Sequence, residues 1–215
     1  MWPRILPFAV YMGFVGVSPW LPSDSLIHLS LYPIKIIAVL GILLAFRTSY
    51  QELRQPILTS TKEAGMAIGL GLVVYGLWVN MDWPWAMQGE ATGYNPFEAG
   101  TMIGSLLAGI RLFGASLVVP LMEELFWRSF LLRWMVNPDA YEQVPLGRFT
   151  LGSCLATIIL FGLEHHLWLA GMMAGAIYNG LLYHTRRLWP CVMAHATTNL
   201  ALGLHVLITQ EWQWW

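Results

Sequence analysis

Two adjacent carboxylates and an arginine stand inside an oily run, PLMEELFWRSFLLRW, residues 120–134. An ionised carboxylate in a low dielectric costs several kcal/mol unless it is paired, hydrogen-bonded or hydrated. Glu124 and Arg128 stand one helical turn apart on a common face, so they can pair. Glu123 points about 100° away from Glu124 and is the carboxylate freer to face another helix. Two further polar groups interrupt apolar segments downstream: Glu164, His165 and His166 in FGLEHHLW, and His195, Thr197, Thr198 and Asn199 in AHATTNL. His195 and Asn199 again share one helical stripe, whereas only one of His165 and His166 can face a given cavity.

These residue types define a chemistry. A carboxylate shielded from water is a competent general base. A histidine opposite it can orient a water or donate to a leaving amine, and an Asn amide with a second His can stabilise an oxyanion. Glutamate, two histidines and an asparagine around one water would suffice for peptide-bond hydrolysis. The same groups could hold zinc, although the HExxH spacing of common zinc proteases is absent. Plainer roles compete: Glu124–Arg128 as a buried structural pair, Glu164 and His166 as supports, Thr197 and Thr198 bonded back to their own helix. His28, His184 and His205 are expected to make helix-to-helix hydrogen bonds.

The elements that must position these groups follow from composition. The 215 residues are 57% hydrophobic and 11% charged, against about 25% charged in soluble domains. This is the composition of a polytopic integral membrane protein, with the lipid bilayer as its first partner. The net charge of −1, with no basic patch, excludes nucleic acid. Cys154 and Cys191 lie in apolar segments, with neither disulfide nor zinc-cluster spacing. The N-terminal run reads as a retained first span, not a cleaved signal peptide.

An all-α bundle of about eight helical segments is expected, at roughly 5–21, 26–46, 64–80, 100–119, 120–136, 150–167, 168–184 and 188–208. Residues 1–110 would supply N-terminal membrane helices, 111–208 the catalytic core and 209–215 a tail, all in one structural domain. Tryptophans near segment ends (Trp20, Trp78, Trp83, Trp85, Trp134, Trp168, Trp189, Trp212) form an interfacial belt with an anchoring role. Basic residues cluster in three loops: Arg47, Arg54 and Lys62; Arg133 and Arg148; Arg186 and Arg187. Residues 82–98 carry only acidic charges. Positive-inside counting puts the basic loops and the N-terminus in the cytoplasm. That parity requires 100–136 to cross once, with Pro120 as a break.

EELFWR, FGLEH and HATTN resemble, in order and separation, the EExxxR, FxxxH and HxxxN motifs of the CAAX protease and bacteriocin-processing membrane family. The matched region spans roughly 115–205. FGLEHHLW and MAHATTN further resemble the branch linked to exosortase and PEP-CTERM sorting, in the bacterial inner membrane. The resemblance implies an eight-helix intramembrane endopeptidase like the Ras-converting CAAX endopeptidase, acting on a membrane-anchored protein or peptide. By motif position Glu123 would activate water, His165 would position it, and His195 with Asn199 would form the oxyanion site. Glu124, Arg128 and His166 would support them. No cofactor is favoured; with zinc as the alternative, Glu123, His165 and His195 would be the ligands. Ser129 stands where many members have glycine. Two rival classes are a non-proteolytic scaffold or immunity partner, and a haem- or ion-binding transporter.

Overall fold

The computed structural model describes residues 1–21, 26–89 and 93–215, with side chains over the same span except those of 26–28. His28 therefore lies outside the described side chains. Among the described residues there are helices and turns but no strand. The helices are α1 (Trp2–Val17), α2 (Leu26–Ala45), α3 (Thr61–Trp78), α4 (Thr101–Trp134), α5 (Leu151–Leu163), α6 (Trp168–Thr185) and α7 (Leu188–Thr209). Two of them, α4 and α7, are long and apolar enough by themselves to cross a membrane.

Seven helices replace the expected eight because 100–119 and 120–136 are one helix of 34 residues. Pro120 does not break it. The hydrogen-bond spacing widens over Gly114–Val118, where the Val119 N–H reaches back five residues to the Gly114 carbonyl. That spacing assigns the next carbonyl, Ala115, to position 120, where proline has no N–H to give. The helix thus continues through the proline with one free carbonyl. A second widened stretch covers Leu125–Leu131, closed by the Leu132 N–H on the Trp127 carbonyl.

Small residues set the closest approaches. A Cβ on Gly71 of α3 would sit on the Ala194 carbonyl oxygen of α7, beside His195. A Cβ on Gly162 would lie 2.6 Å from the Trp168 carbonyl oxygen, so glycine permits the tight α5–α6 turn. Such contacts let membrane helices approach without a hydrophobic drive between them. The FGLEH and HATTN segments meet through the Phe161 and His195 rings, 6.1 Å apart.

The three basic loops share one end of the bundle. Arg4 of α1 holds Glu52 of the α2–α3 loop through two bonds of 2.7 and 2.8 Å, and reaches Tyr141 and Glu142 of the α4–α5 loop at 3.3 Å. Ser129 is fully buried at this junction; its hydroxyl donates to Glu52 and accepts from Arg4 and Arg133. The departure from glycine therefore supplies a polar hub, not merely a bulkier contact. Arg187, in the α6–α7 loop, pairs with Glu63 at 2.6 Å, close to the capped start of α3. At the opposite end Gln88 ties the acidic loop to the α5–α6 turn, donating to the carbonyls of Leu163 and His165.

Candidate active site

α4 and α7 meet around His195. Its Nδ1 lies 3.0 Å from Glu124 Oε1 and its Nε2 3.9 Å from Glu123 Oε2. The two carboxylates, 100° apart on α4, thus address the two nitrogens of one ring. All three side chains are buried. Glu124 Oε1 also accepts from Arg128 Nη1 at 3.1 Å. An acceptor on that side places the imidazole proton on Nδ1 and leaves the Nε2 lone pair toward Glu123.

Arg128 is fixed in turn. It donates to Asn179 Oδ1 at 3.3 Å, and its guanidinium lies over the Phe161 ring at 4.5 Å and the Tyr178 ring at 5.3 Å. Asn179 donates to Thr157 Oγ1 at 2.8 Å. Tyr178 stacks on the His195 ring at 5.1 Å and bonds Thr198 Oγ1 at 2.7 Å. Asn179 and Tyr178 were missed in the sequence, although a lone asparagine in the apolar run of α6 was a visible signal.

Asn199, one turn beyond His195, donates Nδ2 to the Ala115 carbonyl at 2.8 Å. This is the carbonyl that Pro120 leaves free. One amide N–H is thereby spent on anchoring, and the second remains for another acceptor.

His165 lies just past the end of α5, its Nδ1 bonded to the Phe161 carbonyl at 2.7 Å and its ring edge-on to Trp78 at 5.2 Å. A carbonyl partner puts the proton on Nδ1 and directs an unprotonated Nε2 elsewhere. A cavity of about 220 Å³ is lined by Glu123, His165, His195 and Asn199. Its wall continues through Tyr11, Tyr32, Trp78 and Arg111 to Trp214 and Trp215, toward the end that carries the acidic loop. Glu123 Oε2 is buried there without a hydrogen-bond partner, an arrangement that calls for a polar ligand.

The remaining residues sort as follows. His166 is absent from the cavity lining and bonds the Gln88 carbonyl at 2.5 Å. Glu164 accepts from Trp127 Nε1 at 3.1 Å. Thr197 bonds back to Met193, but Thr198 also donates across to the Gly71 carbonyl of α3. His205 makes the expected interhelical bond, to Tyr75 at 2.9 Å. His184 is exposed and has no hydrogen-bond partner among the described residues, so its expected interhelical bond is not formed. Trp78 departs from the anchoring role assigned to it, because its ring packs on His165 in the cavity wall.

Zinc needs its ligands gathered at 2.0–2.2 Å from one centre. Among the described residues no three His, Cys, Asp or Glu side chains are grouped to hold an ion, so Glu123, His165 and His195 are not gathered as a zinc ligand set.

Residues 105–201 match the model of a family described as type II CAAX prenyl endopeptidase Rce1-like. No curated protein and no solved structure matches the chain.

Proposed function

We propose, from the match of residues 105–201 to the Rce1-like type II CAAX prenyl endopeptidase model, a membrane-embedded endopeptidase that uses glutamate-activated water. The observation that carries the mechanism is the buried Glu123 Oε2, unpartnered and 3.9 Å from His195 Nε2. That separation is too long for a direct hydrogen bond and leaves Glu123 Oε2 open to a water on its cavity side.

Glu123 takes a proton from that water as its oxygen attacks the scissile carbonyl carbon. His165 Nε2 accepts the water's other hydrogen bond and fixes its position. The free N–H of Asn199 donates to the developing oxyanion, and His195 joins it by taking on Nε2 the proton that Glu123 removed from water, relaying it toward the leaving amine. The C–N bond then breaks, and the proton taken from water passes to the leaving amine, so that water is divided between the two products. Glu124, held by Arg128, sets the tautomer and orientation of His195.

The substrate class is a membrane-anchored protein or peptide, a lipidated chain or a C-terminal sorting tail. The orientation that fits positive-inside counting has the three basic loops and the N-terminus on the cytoplasmic side, and the membrane that fits the resemblance is a bacterial inner membrane. The cavity then reaches toward the opposite face.

The test is cleavage of a membrane-peptide library by purified protein and its Glu123→Gln variant in nanodiscs, with and without a strong chelator. Cleavage by the parent alone, indifferent to chelator, supports the reading. Full activity in Glu123→Gln sinks the role of Glu123, and chelator loss restored by zinc sinks the metal-free mechanism. A variant that merely melts earlier, with no cleavage by either protein, favours the scaffold alternative.

A further inference from the structure

The cavity holds a cation that the hydrolytic chemistry does not use. Arg111, on α4, lines it, and its Nε is buried with no hydrogen-bond partner. The guanidinium lies against three aromatic rings: Tyr32 at 4.3 Å, Tyr94 at 4.9 Å and Trp215 at 5.8 Å. A second cation stands close behind, Lys35 of α2, with Nζ 4.0 Å from the Tyr11 ring centroid and 5.1 Å from that of Tyr32. Neither has a carboxylate within ion-pair distance among the described residues.

Cations within spanning segments are costly and ordinarily paired. Aromatic faces offset part of that cost and also hold the guanidinium in one orientation. What they do not supply is an acceptor for its N–H groups. A carboxylate fits a guanidinium fork with two parallel charge-assisted bonds. We propose that Arg111, aided by the field of Lys35, is a specificity-determining residue that takes a carboxylate of the substrate in the aromatic end of the cavity.

The distance to the reacting groups sets the register. Arg111 lies a little over three turns from Glu123 on the same helix, roughly 18 Å at 1.5 Å per residue. An extended peptide covers that distance in about five residues. The substrate would therefore carry an anionic group about five residues from the scissile bond, on the side leading to Trp215. A terminal carboxylate and an acidic side chain offer the same chemistry.

This inference rests on the endopeptidase reading, and its test separates the two. Three lipid-anchored peptides of one apolar sequence are compared: one ending in a free carboxylate, one in a carboxamide, and one in a carboxamide with a glutamate near the end. Cleavage is measured with the parent protein, Arg111→Gln and Arg111→Lys, and binding with Glu123→Gln and the Glu123→Gln/Arg111→Gln double variant. We expect Arg111→Gln to raise KM for a carboxylate-bearing peptide at least tenfold, with kcat within about threefold. Arg111→Lys should recover part of the loss, and the peptide lacking a carboxylate should not distinguish the variants. The first and third peptides then report which source of carboxylate is read. Equal use of all three peptides by the parent, or an equal loss on all three in Arg111→Gln, would overturn the proposal while leaving proteolysis intact. If the parent cleaves nothing, the binding arm decides. A carboxylate preference abolished by Arg111→Gln keeps the subsite and faults only the peptidase reading. Equal binding removes the subsite.

Discussion

Glu124 Oε1 is shared by two donors, His195 at 3.0 Å and Arg128 at 3.1 Å. A pair that could have been purely structural is thereby joined to the imidazole that faces Glu123. Replacing Glu124 by Gln keeps the shape but offers an uncharged group that can adopt the wrong hydrogen-bond sense. We expect kcat to fall by roughly two to four orders of magnitude, as when the orienting acid of a histidine is neutralised. Breaking the buried pair should also destabilise the fold by about 3–5 kcal/mol. Activity per folded molecule, normalised by melting curves, checks the first effect; normal specific activity would reduce Glu124 to a structural role.

Asn199 and Pro120 act on one carbonyl. Asn199→Asp removes donors and places a charge against the Ala115 oxygen. Loss of one oxyanion donor costs about 10²–10³ in kcat, and we expect a fall of that size with a smaller change in KM. Pro120→Ala introduces an N–H that competes for the same carbonyl. It should lower kcat more mildly, and steady-state kinetics on both variants will show whether the two effects follow that order.

Ser129 joins Arg4, Glu52 and Arg133 at the basic end of the bundle. Ser129→Gly leaves these buried groups short of a partner, which costs about 1–3 kcal/mol. Thermal unfolding in detergent should report the loss, with specific activity of the folded fraction unchanged.

The same junction gives an acid limb to stability. Burial alone would raise the Glu52 carboxyl, but the bonds from Arg4 and Ser129 outweigh it and hold it below its ordinary value of 4.5. The unfolded chain then binds the proton first, so this contribution is complete above 4.5 and disappears as pH falls through the lower folded value. Melting temperature against pH should fall less steeply in acid for Glu52→Gln than for the parent protein.

Gly71 marks the closest approach of α3 to α7. Gly71→Ala sets a methyl against the Ala194 carbonyl, and overpacking of this kind costs about 1–3 kcal/mol. Because His195 follows Ala194 directly, activity should fall together with the melting temperature. A variant that loses stability but not activity would show that α3 does not set the depth of His195.

The polar residues of α4, α5 and α7 were legible because each interrupts an apolar run, and such interruptions are rare for energetic reasons. The pairing of Glu124 with Arg128 followed from helical periodicity alone. What was not legible depended on contacts between segments distant in sequence. Nothing local says that Glu124 reaches His195, that Asn179 holds Arg128, or that Trp78 belongs to the cavity and not to the membrane interface. Pro120 misled for a related reason. Proline ends helices that keep ordinary spacing, and a five-residue turn just before it removes the conflict in a way composition does not reveal.

The proposed reacting groups Glu123, His165, His195 and Asn199 all fall within 105–201, whereas Tyr11, Tyr32, Trp78, Trp214 and Trp215 of the cavity wall fall outside it. Part of the cavity wall is thus built by stretches of polypeptide that flank the segment carrying these four groups, whereas Arg111 lies within that segment. Exchanging the flanking aromatic residues would reshape one side of the cavity while leaving its polar floor in place.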